Sequence, residues 1–175
     1  ESAAELLARC DSRELTRILR EYGEEPHAFR IAQGILRARE RGELPRTTGA
    51  LVDLIRDVLP APVQRKMGGH PARRVFQALR IAVNDELGAL EDLLEQLPRI
   101  VREGGIAIAI AYHSLEDRIV KRAFRALEAE GRGKAVPRRA VVPSEEEIAE
   151  NYKARSAKMR VFRFGRLLPQ GRGFR

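Results

Sequence analysis

The run Tyr112-His113-Ser114-Leu115-Glu116-Asp117 places an imidazole, a hydroxyl and two carboxylates side by side. Such groups accept or donate protons, the first requirement of general acid–base chemistry. They follow directly on Gly104-Gly105 and an apolar run, Ile106 to Ala111, in which isoleucine alternates with alanine. With apolar groups on both faces, this run fits a strand buried within a mainly parallel sheet. In open parallel sheets ligands bind beyond the carboxyl ends of the strands, which is where His113, Ser114, Glu116 and Asp117 sit. A plainer reading stands beside this one: Ser114 and Asp117 have the spacing of a capping box with an acid at its third helical position, and Arg118, Lys121 and Arg122 are solvated charges on the helix that follows.

The elements that must position these residues are mostly helical. Ser2 with Glu5 and Asp11 with Glu14 mark two helix starts, the second helix carrying Leu15, Ile18 and Leu19 on one face and stopping at Gly23. Pro26 opens a third helix bearing Phe29, Ile31, Ile35 and Leu36, which ends near Gly42, and Thr47 or Thr48 caps a fourth that closes at Pro60. The prolines and glycines of residues 61 to 71 then break the pattern. Beyond them Val75, Leu79, Val83, Leu87, Leu90 and Leu94 recur at intervals of three and four, describing one buried stripe on a long helix with a bend near Gly88. Further strand candidates are the Ala-Val-Val at residues 140 to 142 and Lys158 to Phe164, fewer than a doubly wound sheet needs. The closing Leu167 to Arg175 reads as a mobile basic tail.

Composition narrows the function classes. With 43% hydrophobic and 33% charged residues, the 175-residue chain has the balance of a globular protein, and no apolar run approaches a membrane span of about 18 residues. A cytoplasmic location without membrane contact is the expectation. The single cysteine, Cys10, forms no internal disulfide, and His27 and His70 have no ligand-spaced partner, so no metal is expected. A net charge of +8 favours a polyanionic partner, nucleic acid first, while the absence of Trp and the 5% aromatic content argue against a stacking platform for single strands.

Three blocks carry a specific resemblance. His70-Pro71-Ala72-Arg73-Arg74 through Glu91, Gly104 through Arg125, and Val142-Pro143-Ser144 through Arg160 are similar, in order and spacing, to successive blocks of the bacterial 16S rRNA cytosine-N4 methyltransferase family (RsmH/MraW). The helical part, including Leu19 to Glu40, resembles that family's inserted helical domain. The resemblance implies an α/β fold: a partial Rossmann-like class I methyltransferase core with an α-helical insertion, residues 1–68 being the inserted RNA-recognition domain and 69–175 the C-terminal half of the core. It implies an S-adenosylmethionine-dependent enzyme that methylates the exocyclic N4 of a cytosine in the decoding region of 16S rRNA, with the small ribosomal subunit as partner.

Departures from the family pattern bound that expectation. The family's opening strand, its glycine-rich cofactor loop, its acidic ribose-binding residue and its Asp-Leu-Gly-Val-Ser-Ser block have no counterpart, so no cofactor-binding residue is assigned. Gly68-Gly69-His70 follows no apolar strand and is not that loop. The family's Asn-Pro-Arg reads Asn151-Tyr152-Lys153. The expectation is therefore a chain incomplete for catalysis by itself, its first half missing or supplied by another chain.

Methylating an aromatic amine demands alignment of the nitrogen and an acceptor for its proton. His113, Glu116 or Asp117 is the candidate acceptor, or orients the group that accepts, with Ser114 as a further hydrogen-bonding group. Asn84, with Asp85 and Glu86, is a candidate for substrate binding or support. Arg73, Arg74 and Arg80, with Arg155, Lys158 and Arg160, are candidates for holding RNA phosphates or carboxylates, and Arg17, Arg20, Arg30, Arg37, Arg39 and Arg41 for tracking the rRNA backbone. Two rival readings are a non-catalytic basic RNA-binding module and a chain that self-associates through an exposed sheet edge.

Overall fold

The computed structural model describes residues 1–66 and 69–165. The tail expected from Leu167 onward lies outside them, as does Gly68. The chain forms two compact units, Glu1–Glu86 and Leu87–Arg175.

The first unit is helical: α1 (Ala3–Arg9), α2 (Ser12–Glu21), α3 (Ala28–Glu40), α4 (Thr48–Val58), α5 (Ala61–Lys66) and α6 (Arg73–Asn84). Local chemistry sets the helix starts. Ser2 Oγ accepts from Glu5 N–H at 3.2 Å while Glu5 returns a carboxylate to Ser2 N–H at 2.7 Å, and Asp11 and Thr47 cap α2 and α4 through Glu14 and Ala50 N–H. Each cap satisfies a backbone donor that the helix itself leaves orphaned. The apolar stripes meet in one core, with Leu15, Leu19, Ile31, Ile35, Ile55, Leu59 and Val75 fully buried. Cys10 lies in this core, and burial pushes its thiol up to about 11, which keeps it protonated and inert.

The stripe expected on one long helix is divided. Asp85 adopts the left-handed conformation (φ 47°, ψ 44°) and ends α6, three residues before the expected bend at Gly88. Aspartate tolerates that conformation better than most residues because its short polar side chain bonds locally. Val75, Leu79 and Val83 consequently pack in the first core, whereas Leu90, Leu94 and Leu97 pack in the second.

The second unit holds α7 (starting at the boundary, Glu86–Ile100), β1 (Ile106–Ala111), α8 (Ser114–Ala129), β2 (Gly133–Ala135), α9 (Glu145–Glu150), a 3-10 turn (Tyr152–Ser156) and β3 (Lys158–Phe164). Its sheet has the order β1-β3-β2 with both pairings antiparallel. Val120, Phe124 and Leu127 of α8 pack on Phe162 and Phe164 of β3, and Ala107 and Ala109 lie against the same cluster. The Phe124 and Phe162 rings lie 5.2 Å apart and the Phe162 and Phe164 rings 4.9 Å, tilted and edge-on as their quadrupoles favour.

The fold is mixed α/β, but the strand of the opening run corrects one expectation. β1 is an edge strand with an antiparallel neighbour, and it is not buried on both faces: Ile106, Ile108 and Ile110 are 51%, 61% and 56% exposed. The period of two along a strand sends the alanines to the α8 side and the isoleucines to the other. The Ala-Val-Val segment contributes only one bridge, Val141 to Met159, whereas β3 spans the residues expected.

β2 is the strand that sequence reading missed, three residues containing a glycine and a lysine. Gly133 is there for a steric reason, since a Cβ at that position would run into the Arg163 carbonyl oxygen and the Phe162 ring. Gly133→Ala should therefore detach β2 from β3 and destabilise the unit by about 2 kcal/mol, a value at the middle of the usual range for strained or overpacked sites. Thermal unfolding checks this, and an unchanged midpoint would contradict it. Among the described residues no helix is long and apolar enough to cross a membrane.

Candidate functional site

The polar cluster sits where β1 hands over to α8. His113 is still extended (φ −139°, ψ 164°) and serves as the N-cap of α8: its Nδ1 accepts from Glu116 N–H at 3.4 Å. Glu116 Oε2 in turn accepts from Tyr112 N–H at 2.9 Å and His113 N–H at 3.3 Å. The capping box is thus His113 with Glu116, one residue earlier than the Ser114–Asp117 pair expected from sequence. Because the extended conformation persists through His113, Ser114 becomes the first helical residue and Asp117 falls beyond the third position that a capping box uses.

Asp117 is engaged elsewhere. Arg160 of β3 grips it with both forks, Nε to Oδ1 at 2.7 Å and Nη2 to Oδ2 at 3.2 Å, and Lys158 Nζ stands 3.7 Å from Oδ2. The Asp117 and Arg160 side chains are only 13% and 14% exposed. The Arg160 hydrogen bonds, with the nearby charges of Arg160 and Lys158, hold the Asp117 carboxyl below the usual aspartate value of 3.8. Asp117 is an ionised anchor between α8 and β3, so its lone pairs are already committed.

The cap also decides what His113 can do. With Nδ1 accepting a backbone hydrogen bond, the neutral imidazole carries its proton on Nε2. Nε2 is buried with no hydrogen-bond partner among the described residues; Glu116 Oε1 lies 3.3 Å away without hydrogen-bond alignment. A buried polar group left unmatched is uncommon and calls for an explanation such as a ligand or a catalytic role. The geometry makes His113 a donor toward any group that reaches Nε2, not an acceptor from an amine.

The remaining candidates divide by unit. Lys158 and Arg160 gather at Asp117 as described. Arg155 lies over the Tyr152 ring at 4.0 Å and donates to the Tyr152 carbonyl, while Asn151 accepts from Lys153 N–H at 3.2 Å, closing the loop without the family's proline. In the helical unit, Arg74 donates to the Glu24 carbonyl at 3.2 Å, and Arg80 holds Glu86 with two bonds of 2.8 and 3.0 Å, to which Asn84 adds a third. These contacts brace the α2–α3 loop and the end of α6. Arg73 is exposed and makes no ion pair among the described residues.

Residues 1–165 match the model of the MraW methylase family. The chain is similar to the "Ribosomal RNA small subunit methyltransferase H" of Anaeromyxobacter sp. (strain Fw109-5), 49% identical over 176 residues covering 91% of this chain and 56% of that protein. It is likewise similar to the proteins of the same name in Anaeromyxobacter dehalogenans (strain 2CP-1 / ATCC BAA-258), 47% identical over 91% of this chain and 56% of that one, and in Paenibacillus sp. (strain JDR-2), 43% identical over 91% and 55%. The chain spans a little over half the length of these curated relatives. With the β1–α8 junction carrying one of the three blocks that bear the resemblance, the family match across both units shows that this chain belongs to the MraW methylase family.

Proposed function

We propose that this chain is the RNA-recognition and C-terminal catalytic part of a methyltransferase that transfers a methyl group from S-adenosylmethionine to the N4 of a cytosine in the decoding region of 16S rRNA. The observation that carries this reading is the polar cap of α8 at the carboxyl end of β1, with the buried His113 Nε2 left unmatched, in a chain whose relatives bear the name of a small-subunit rRNA methyltransferase. The small ribosomal subunit is the corresponding partner and the cytoplasm the corresponding place.

The residues present do not by themselves fit the cofactor. At the β1–α8 junction Asp117 is held by Arg160 and Lys158, and Glu116 Oε2 is taken by two backbone N–H groups, so neither carboxylate offers two free oxygens to the paired hydroxyls of a ribose. In this reading the part of the relatives that the chain does not span supplies the cofactor site, completes a Rossmann-like sheet on the free edge of β1 and packs over the exposed isoleucine face of that strand. His113 donates from Nε2 to position the substrate or its neighbour, while the Asp117–Arg160 pair holds α8 in place.

His113→Asn tests the assignment, because asparagine caps helices well yet lacks the imidazole donor. In a protein comprising these residues and the remaining part of the family's length, methyl transfer to small subunits should fall about 100-fold, the usual loss of one positioned donor, while RNA affinity and melting temperature hold. Nucleoside mass spectrometry should find the label on cytosine N4. Label on another base or atom would overturn the proposed substrate, and an undiminished rate would overturn the role of His113.

A non-catalytic RNA-binding role is the second reading, favoured by those engaged carboxylates and by the net charge of +8. A calorimetric titration of this chain with S-adenosylmethionine bears on both: absence of heat from a folded chain is the outcome expected here, and micromolar binding would show a cofactor site complete without further residues.

A further inference from the structure

Where α8 meets β3 and the segment that follows β2 lies a small cleft that opens to solvent. Lys121 and Arg125, one helical turn apart and thus on one face, line it from α8, and Arg138 lines it from the segment after β2. All three are exposed, and none makes a hydrogen bond or ion pair among the described residues. Arg160 also borders the cleft, but its charge is matched by Asp117. Glu128 is the one carboxylate among the lining residues. Three uncommitted cations against one carboxylate, converging from two elements on a concave surface, form a site for an anion larger than a carboxylate.

We infer that this cleft binds the phosphodiester backbone of RNA, a contact surface on the β-sheet unit separate from the arginines of the helical unit. The inference rests on the proposed function for the identity of the polyanion. Its chemistry agrees with that identity: two guanidinium forks and an ammonium suit phosphate oxygens, and the aromatic residue in the lining, Phe124, is buried and belongs to the core, so no exposed ring is offered for base stacking. Contacts of this kind position an RNA without reading its sequence. Read from the sequence alone, Lys121 is one of several solvated charges along a helix. What sets it and Arg125 apart is Arg138 lining the same cleft, which only the return of the chain from β2 brings about.

The test is fluorescence anisotropy of a labelled hairpin RNA titrated with the 175-residue chain across a range of potassium chloride. The triple variant Lys121→Gln/Arg125→Gln/Arg138→Gln changes only exposed side chains, and a matched variant, Arg30→Gln/Arg37→Gln, neutralises exposed arginines of α3 in the other unit. If the cleft holds one or two phosphates, the triple variant should bind about tenfold more weakly, and the slope of log affinity against log salt should become shallower by about 1 to 2. Wild-type affinity and slope in the triple variant, with weakening confined to Arg30→Gln/Arg37→Gln, would overturn the cleft and leave the proposed function standing. A wild-type chain with no salt-dependent affinity for the hairpin would overturn the cleft and the RNA reading together. Competition by polyglutamate as effective as by unlabelled RNA would overturn RNA as the occupant.

Discussion

Asp117→Ala should destabilise the sheet unit by about 2 kcal/mol, less than the roughly 3 to 5 lost when a fully buried ion pair loses one partner, because Asp117 and Arg160 are part-buried. Its size comes from the partial burial of both side chains combined with two-point geometry. Without Asp117 the Arg160 guanidinium, 14% exposed, keeps its charge and loses both of its hydrogen bonds to that carboxylate. The unmatched charge dominates the penalty, so Asp117→Ala/Arg160→Met, which removes both charges, should recover more than half of it. Hydrogen exchange of α8 and β3 amides in the three proteins measures the effect locally. Equal protection in all of them would show that the pair contributes nothing.

The same pair sets an acid dependence with a definite sign. The folded-state pKa of Asp117 is lowered, chiefly by its hydrogen bonds to Arg160, so the unfolded chain takes up this proton first as pH falls. The stabilisation is complete above the unfolded value, at about pH 4, and is lost as pH drops through the lower folded value. Asp117→Asn should flatten this part of the stability profile below about pH 4 and leave the neutral-pH slope unchanged.

Ile106→Thr/Ile108→Thr/Ile110→Thr should have effects of very different size in two contexts. In this chain the three side chains stand more than half exposed, and threonine keeps the β-branching that strands favour, so the variant should melt within about 1 kcal/mol of wild type. In a protein that also carries the remaining part of the family's length, the proposed function places this face under cover. The cost there should reach about 4 to 5 kcal/mol, roughly 1.5 per isoleucine removed from an apolar interface. Thermal unfolding of the two pairs of proteins gives the comparison. A small effect in both would mean that the face stays solvent-exposed, and the free edge of β1 would then point to the self-associating alternative, visible as mass growing with concentration in sedimentation.

Much of the helical framework was legible because its determinants are local. A cap acts over three residues and an apolar stripe over one or two turns, so Ser2, Asp11 and Thr47 announce α1, α2 and α4 without knowledge of any distant contact. The same locality explains why β3 could be bounded from Lys158 to Phe164, and why the polar cluster from Tyr112 to Asp117 could be placed at the end of a strand and the start of a helix. The reading went astray where two local answers were equally good. Ser114–Asp117 and His113–Glu116 both have box spacing, and what separates them is how far the extended conformation of β1 persists.

The sequence by itself determined the first four helices, the caps of α1, α2 and α4, the family and the position of the polar cluster along the chain. The tertiary structure alone decided the partners: Asp117 with an arginine 43 residues on, β1 antiparallel to β3, Arg138 in one cleft with Lys121 and Arg125, and a single apolar stripe shared between two cores at Asp85. The physical reason is that a local pattern specifies which face of an element is apolar and where it ends, but not what the rest of the chain brings against it. A carboxylate that looks free in the sequence, Asp117, is therefore found committed, and a lysine and two arginines that look merely solvated are found lining one cleft.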